Sequence, residues 1–250
     1  MNNLKFTLLF IIAFIQLNVN AFSHKNITDQ CLTLNEKWLH EALELTKNTV
    51  GYSAPVAART FAYLSIGNYE AVIGMEGNSN ISLSNYLNNY HRKNWIENPE
   101  KINFLAVANE VNYLLISYFY RNMALDNSKK VKDLFETIKK EYYPDISNKI
   151  NKKSSKYAHE IVNEIINFSK MDGGDNGINT NFPKTFELVK CDSCWSKTYP
   201  GYFGALQPFW GNNGTLVLKD SIFTTSIEYI GFSTEKDSRI YLESQKLLEL

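Results

Sequence analysis

The sequence predicts an all-α fold: a helical bundle carrying a long irregular, aromatic-rich segment at about 172–214. Three observations carry this expectation. Apolar residues recur at helical spacing over most of the chain from Thr33 to Lys170. From Asp175 to Gly214 glycine, proline, asparagine and aromatics alternate without a period, as in segments that are functional or packed over something. No internal repeat at solenoid spacing is present, which argues against a helical-repeat scaffold. Fifteen Phe, fifteen Tyr and four Trp in 250 residues supply ample apolar surface for a core and exclude a disordered chain. A formal charge of zero argues against a nucleic-acid binder working through a basic face, and against a polybasic membrane-surface protein.

The first residues read as an address. Lys5 precedes a short apolar run from Phe6 to Leu17, and Val19-Asn20-Ala21 places small residues at both recognition positions of a cleavage site. This is the pattern of a secretory signal peptide over 1–21, cleaved after Ala21. The run is short for a bilayer, which needs about 20 apolar residues, so no stable span is expected after cleavage. The expected localisation is exported, periplasmic or extracellular.

The elements follow in order. Thr33-Leu-Asn-Glu36 has capping-box form and opens a first helix with Trp38, Ala42, Leu45 and Thr49 on one face, Leu39, Leu43, Thr46 and Val50 adjoining. Gly51 stops it. Ser53 caps a second helix with Pro55 in its first turn, where a missing N–H costs nothing. That helix, Val56 to Ile73, is apolar nearly all round and is expected to be a central buried helix rather than a surface one, ended by Gly74 and Gly77. A polar loop over 78–98 leads to Pro99 and a third helix spanning Ile102 to Met123. Asn103, Asn109, Glu110 and Asn112 interrupt that helix and argue against a membrane span. Asp126 caps a fourth helix with the stripe Val131, Leu134, Phe135, Ile138 and Tyr142, closed by Pro144. A fifth carries Ala158, Ile161, Val162, Ile165 and Phe168 and stops at Asp172-Gly-Gly174. Leu216 to Leu218 has the form of a short strand, and Ser221 to Ile230 is ambiguous. An amphipathic helix begins near Asp237 and runs through Tyr241, Leu247 and Leu248.

Chemistry-bearing residues are sparse. Three cysteines are too few for a disulfide framework. Cys191-Asp-Ser-Cys194 has CxxC spacing but sits in a loop, so a local structural disulfide or two inert thiols is favoured over redox chemistry or a metal site, with Cys31 left over. None of His24, His40, His91 and His159 is spaced as an i, i+4 ligand pair, and no HExxH is present. His40 and His159 read as solvated or capping residues, and His91-Arg92 as loop residues with anion contact as the alternative. No G-x-S-x-G and no phosphate-cradling glycine loop occurs. Asp172-Gly-Gly-Asp-Asn-Gly177 imitates a calcium loop but has Gly174 at the third position and Pro183 at the twelfth, so it reads as a helix end plus a turn. Arg59 and Glu70 are charges on an apolar helix and are expected to be paired inside the bundle, with binding as the alternative.

Ser53-Ala-Pro-Val-Ala-Ala-Arg-Thr-Phe-Ala-Tyr-Leu-Ser-Ile-Gly-Asn-Tyr-Glu-Ala-Val72 resembles the early helix of the bacterial vanadium-dependent haloperoxidase-like proteins, within the phosphatidic acid phosphatase type 2 superfamily. Met171-Asp-Gly173, and Trp195 with Thr198-Tyr-Pro-Gly201 and Pro208-Phe-Trp-Gly211, follow the same order of elements, with Lys197 and Tyr199 where the family pattern has prolines. The resemblance implies an all-α bundle that holds vanadate and oxidises halide with hydrogen peroxide, or, among its phosphatase relatives, hydrolyses phosphate esters. Either chemistry needs an oxyanion cage of lysine, arginines, backbone amides and a histidine. The family's lysine-to-arginine-proline, Ser-Gly-His and final arginine/histidine segments do not occur in residues 1–250: Arg59, Arg92, Arg121 and Arg239 are never followed by proline, and no histidine follows glycine.

Residues 22–250 are therefore expected to be the N-terminal helical part of such a domain, truncated before the active-site half, and no catalytic, cofactor-binding or metal-ligating residue is assigned. Vanadate is implied by the resemblance only, and the implied partners are the missing C-terminal half or a small-molecule substrate. A different class of reading is a stand-alone exported helical binding or vestigial protein using the aromatic loop from Tyr199 to Trp210. A further alternative is a fragment of a phosphatase of the same superfamily.

Overall fold

Burying the apolar stripes of successive helices against one another produces the fold. The computed structural model describes residue 27 and residues 29–73, 82–92, 101–191, 193–217 and 230–249. The segment read as a signal peptide lies outside these, as do His24, Gly74, Gly77, Pro99, Leu218 and most of Ser221 to Ile230. The described residues form α1 (29–48), α2 (Ala54–Ile73), α3 (Phe104–Phe119), α4 (Leu125–Tyr142), α5 (Asn148–Met171) and α6 (Arg239–Leu248), with short 3-10 turns at Leu83–Asn85, Gly174–Asn179 and Trp210–Asn212. No strand occurs among them, so Leu216 and Val217, expected at the start of a short strand, are bends. No helix among them is long and apolar enough to cross a membrane.

Both α2 and α3 are interior helices, and α3 touches the most neighbours. It packs on α2, α4 and α5, and buries Val107, Ala108, Val111, Leu115 and Ile116 with no or almost no exposure. Two asparagines sit inside this apolar helix because each is saturated by neighbours. Asn109 accepts from the Trp38 indole at 2.9 Å and donates to the Tyr143 hydroxyl at 2.7 Å and the Phe135 carbonyl at 3.0 Å, joining α1, α3 and α4. Asn112 donates to the side chains of Asn68 at 2.6 Å and Asn35 at 3.0 Å, joining α3 to α2 and α1. Buried amides held this way set the register of one helix on another, because a slip would leave them unsatisfied.

The expected buried face of α1 holds: Trp38, Ala42, Leu45 and Thr49 are all buried. Its neighbouring stripe of Leu39, Leu43 and Val50 is exposed. The start of α1 differs from the capping-box expectation. The helix is under way by residue 29, and the Thr33 hydroxyl donates back to the Asp29 carbonyl at 3.1 Å from within it. Gly51 does terminate the turn after α1, at φ +102, where a Cβ would stand 2.5 Å from the Ile178 carbonyl oxygen.

Other caps are also relocated. Ser53 keeps the position before α2, its carbonyl accepting from the Ala57 amide at 2.8 Å, but its buried hydroxyl has no hydrogen-bond partner among the described residues. Asn103 caps α3 through Ala106. Asp126 lies in the first turn of α4, where its charge suits the helix dipole, and Ala124 holds the cap position without a side-chain bond. In α4 Val131 and Ile138 are fully buried, with Leu134, Phe135 and Tyr142 partly so, and all five residues of the expected α5 stripe are buried. Ser238 caps α6, no residue of which is buried; Leu242, Leu247 and Leu248 are exposed.

Candidate functional site

The irregular segment is a loop held shut at two levels, and the outer closure is built on Asp172 at the C-terminal end of α5. Gly173, at φ +86, turns the chain so that the Gly174 amide donates back to Asp172 Oδ1 at 2.8 Å. The Tyr63 hydroxyl on α2 donates to the same oxygen at 2.5 Å, and Arg59, one turn earlier, pairs with Oδ2 at 3.1 Å. Forty residues on, Gly214 donates its amide to the Asp172 carbonyl at 2.7 Å and accepts from Arg59 at 2.8 Å. The Arg59 guanidinium also lies over the Trp210 ring, 5.9 Å from its centre. Burial pushes the Asp172 carboxyl above its ordinary value, opposed by the Tyr63 and Gly174 hydrogen bonds and by Arg59. Burial, then the Asp172 hydrogen bond, pushes the Tyr63 hydroxyl up as well.

The inner closure is Gln207 against Asn181. The Gln207 side-chain amide donates to the Gly177 carbonyl at 2.7 Å and to Asn181 Oδ1 at 3.0 Å, and its backbone amide donates to the Asn181 carbonyl at 2.8 Å. Asn181 in turn donates to the Gly51 carbonyl at 2.7 Å, tying the loop to the turn after α1.

Beyond this neck, residues 182–206 project as an excursion whose tip is closed by the Cys191–Cys194 disulfide. This realises the structural-disulfide alternative. Cys31 is the free cysteine, buried, with its thiol pushed up to about 11 by burial. Along the excursion Phe182 stacks on Phe203 at 6.5 Å and Phe186 meets Phe209 edge-on at 5.6 Å. Of the aromatics expected as a contact surface, Tyr199, Tyr202, Phe203 and Phe209 are exposed, whereas Trp210 is half-buried under Arg59. Open depressions line the excursion. One of about 790 Å³ lies between Trp195, Tyr199 and Phe203, and one of about 520 Å³ lies beside the disulfide. A third of about 530 Å³ has Phe182 and Phe186 on its walls with Lys184, Lys190 and Lys197 around it.

Glu70 belongs to a separate buried knot. It pairs with Arg92, neither side chain having any exposure, and Arg92 also donates to the Tyr157 hydroxyl and to the Glu70 carbonyl. The remaining Glu70 oxygen accepts from the Ser82 hydroxyl at 2.9 Å and the Leu83 amide at 2.7 Å. This pins the loop 82–92 onto α2 and α5. Arg59 and Glu70 are thus both paired inside the protein as expected, each with a partner far along the chain. His91 and His40 are exposed, and His159 lies on the surface 3.5 Å from Glu110. No group of three His, Cys, Asp or Glu side chains that could hold a metal ion occurs among the described residues.

Vanadate, implied by the sequence resemblance, requires cations free to face an oxyanion. Arg59 and Arg92 are each held by a buried carboxylate, and Arg121 faces Asp175 at 3.8 Å. These three arginines are therefore committed to carboxylates of the bundle and do not face an open oxyanion site. Sequence reasoning singled out Arg59, Glu70 and the Asp172 turn separately. It missed that Tyr63 and Asp172 complete the Arg59 site and that Asn181 and Gln207 form the neck, since nothing local marks contacts across so many residues.

No protein-family profile and no curated protein matches the chain. Among solved structures it is similar to the crystal structure of a bacterial vanadium-dependent iodoperoxidase, with a TM-score of 0.67 and 22% identity. The match covers 87% of this chain and 50% of that one, so the chain spans half the length of the peroxidase. At that identity the likeness establishes the fold: the helical bundle described above is shared with a portion of that enzyme.

Proposed function

We propose that the chain is the N-terminal scaffold of an exported haloperoxidase-like enzyme, with the oxyanion-binding groups supplied by polypeptide beyond residue 250. The observation that carries this reading is the structural likeness to half of the iodoperoxidase. The commitment of Arg59 and Arg92 to internal carboxylates supports assigning this part to scaffolding. The signal-like residues 1–21 support export, and so does the Cys191–Cys194 disulfide, because such crosslinks persist in oxidising compartments. Sequencing the gene and transcript past codon 250 tests the proposal. A frame continuing into a Ser-Gly-His segment with flanking lysine and arginine-proline supports it, and a stop codon directly after Leu250 overturns it.

The exposed aromatics of the 182–206 excursion favour a second reading, a stand-alone exported binding protein. A monomeric, cooperatively folding 250-residue product supports that reading, whereas an orphaned half-enzyme exposes apolar surface and aggregates.

A further inference from the structure

The depression between Phe182, Phe186 and the three lysines has the makings of a ligand site. Its volume of about 530 Å³ lies within the range of small-molecule pockets, roughly 300–1,000 Å³. Its apolar surface includes two phenylalanine rings with Pro183, Leu188 and Ala205, and each ring meets a second one: Phe182 meets Phe203 and Phe186 meets Phe209. Around them Lys184, Lys190 and Lys197 bring three positive charges against the single carboxylate of Glu187. All three lysines are exposed, and none forms an ion pair among the described residues. The walls come from both limbs of the excursion, 182–190 on one side and Lys197 with Gly204 and Ala205 on the other. Those limbs are held together at the neck by Asn181 and Gln207 and at the tip by the disulfide. The two limbs that carry the rings and charges are thus brought together before a ligand arrives, which lowers the ordering cost of binding.

We infer that this pocket binds a small aromatic carboxylate, its ring against Phe182 and Phe186 and its anion among Lys184, Lys190 and Lys197. The rings supply stacking and apolar burial. The lysines discriminate the anion from a neutral analogue of the same shape. The inference stands apart from the peroxidase reading, since it needs neither vanadate, peroxide nor halide.

Isothermal titration calorimetry on the purified chain with 1-naphthoate, naphthalene-1-methanol and acetate tests it. Saturable one-to-one binding of 1-naphthoate is expected, with naphthalene-1-methanol and acetate each at least about tenfold weaker. The double variant Lys184→Gln, Lys197→Gln lowers naphthoate affinity by about tenfold, and Ala205→Trp, which fills the pocket, abolishes binding. Glu187→Gln strengthens binding by about twofold, a gain that no unfolded variant produces. Absence of saturable naphthoate binding, equal affinity for the neutral alcohol, or indifference to both the lysine pair and Ala205→Trp overturns the inference.

Discussion

Arg59 and Asp172 stand 113 residues apart in the chain and meet at 3.1 Å, where their ion pair closes both ends of the irregular segment onto α2. One carboxylate orients Tyr63, Arg59 and Gly174 while its own backbone carbonyl receives Gly214. Such a pair is weak evidence for added stability over an apolar substitute, but removing one member leaves the other stranded. Asp172→Ala is expected to cost about 3 kcal/mol, because it strands the half-buried Arg59 and the buried Tyr63 hydroxyl. The midpoint of urea unfolding measures this; a loss below about 1 kcal/mol would show that the clamp is incidental.

The raised Asp172 carboxyl gives a pH dependence with a definite sign. The folded protein holds this proton more tightly than the unfolded chain, whose aspartates titrate near about 3.9. The stabilising contribution is therefore full below that value and is lost as pH rises through the folded value. Compared with Asp172→Asn, which keeps an acceptor for Tyr63, the wild type loses stability as pH climbs from about 4. Thermal midpoints of the two proteins across that range decide the matter: a wild type that gains on the variant contradicts the account.

Two buried tyrosines near Glu70 separate packing from hydrogen bonding. The Tyr157 hydroxyl accepts from Arg92, whereas the Tyr90 hydroxyl is buried without a hydrogen-bond partner among the described residues. Tyr90→Phe removes an unsatisfied polar group and is expected to stabilise the protein by about 1 kcal/mol. Tyr157→Phe takes an acceptor from a buried guanidinium and is expected to destabilise it by about 2 kcal/mol. Chemical denaturation of both variants is the check, and equal shifts would refute the distinction.

The cysteines give a chemical readout. Cys31 is buried and its thiol is pushed up to about 11, while Cys191 and Cys194 are bonded to each other. Iodoacetamide at neutral pH is expected to leave the native protein unlabelled, to label one cysteine in denaturant, and to label all three once a reductant is added. Intact-mass spectrometry counts the additions. Labelling of three cysteines without reductant would exclude the disulfide.

The helices were legible because their periodicity is local: the α1 face of Trp38, Ala42, Leu45 and Thr49 and the α5 stripe from Ala158 to Phe168 are both buried as read. Caps were less legible, since Thr33 and Asp126 have the right chemistry for a helix start but sit inside one. Nor could apolarity rank the helices. The nearly apolar α2 is interior as read, but α3 is equally buried because Asn109 and Asn112 find partners on three sides. The loop's neck and clamp were illegible because Arg59, Asp172, Asn181 and Gln207 acquire meaning only through contacts that long sequence separations conceal.

The most direct test of the central claim is vanadate-dependent iodide oxidation, measured side by side on residues 22–250 and on the same chain extended through the continuing reading frame. The account predicts that iodide is oxidised by the extended protein in the presence of vanadate and peroxide, and that residues 22–250 alone do not exceed a protein-free control. Vanadate-dependent oxidation by residues 22–250 alone, or none by the folded extended protein, would contradict it.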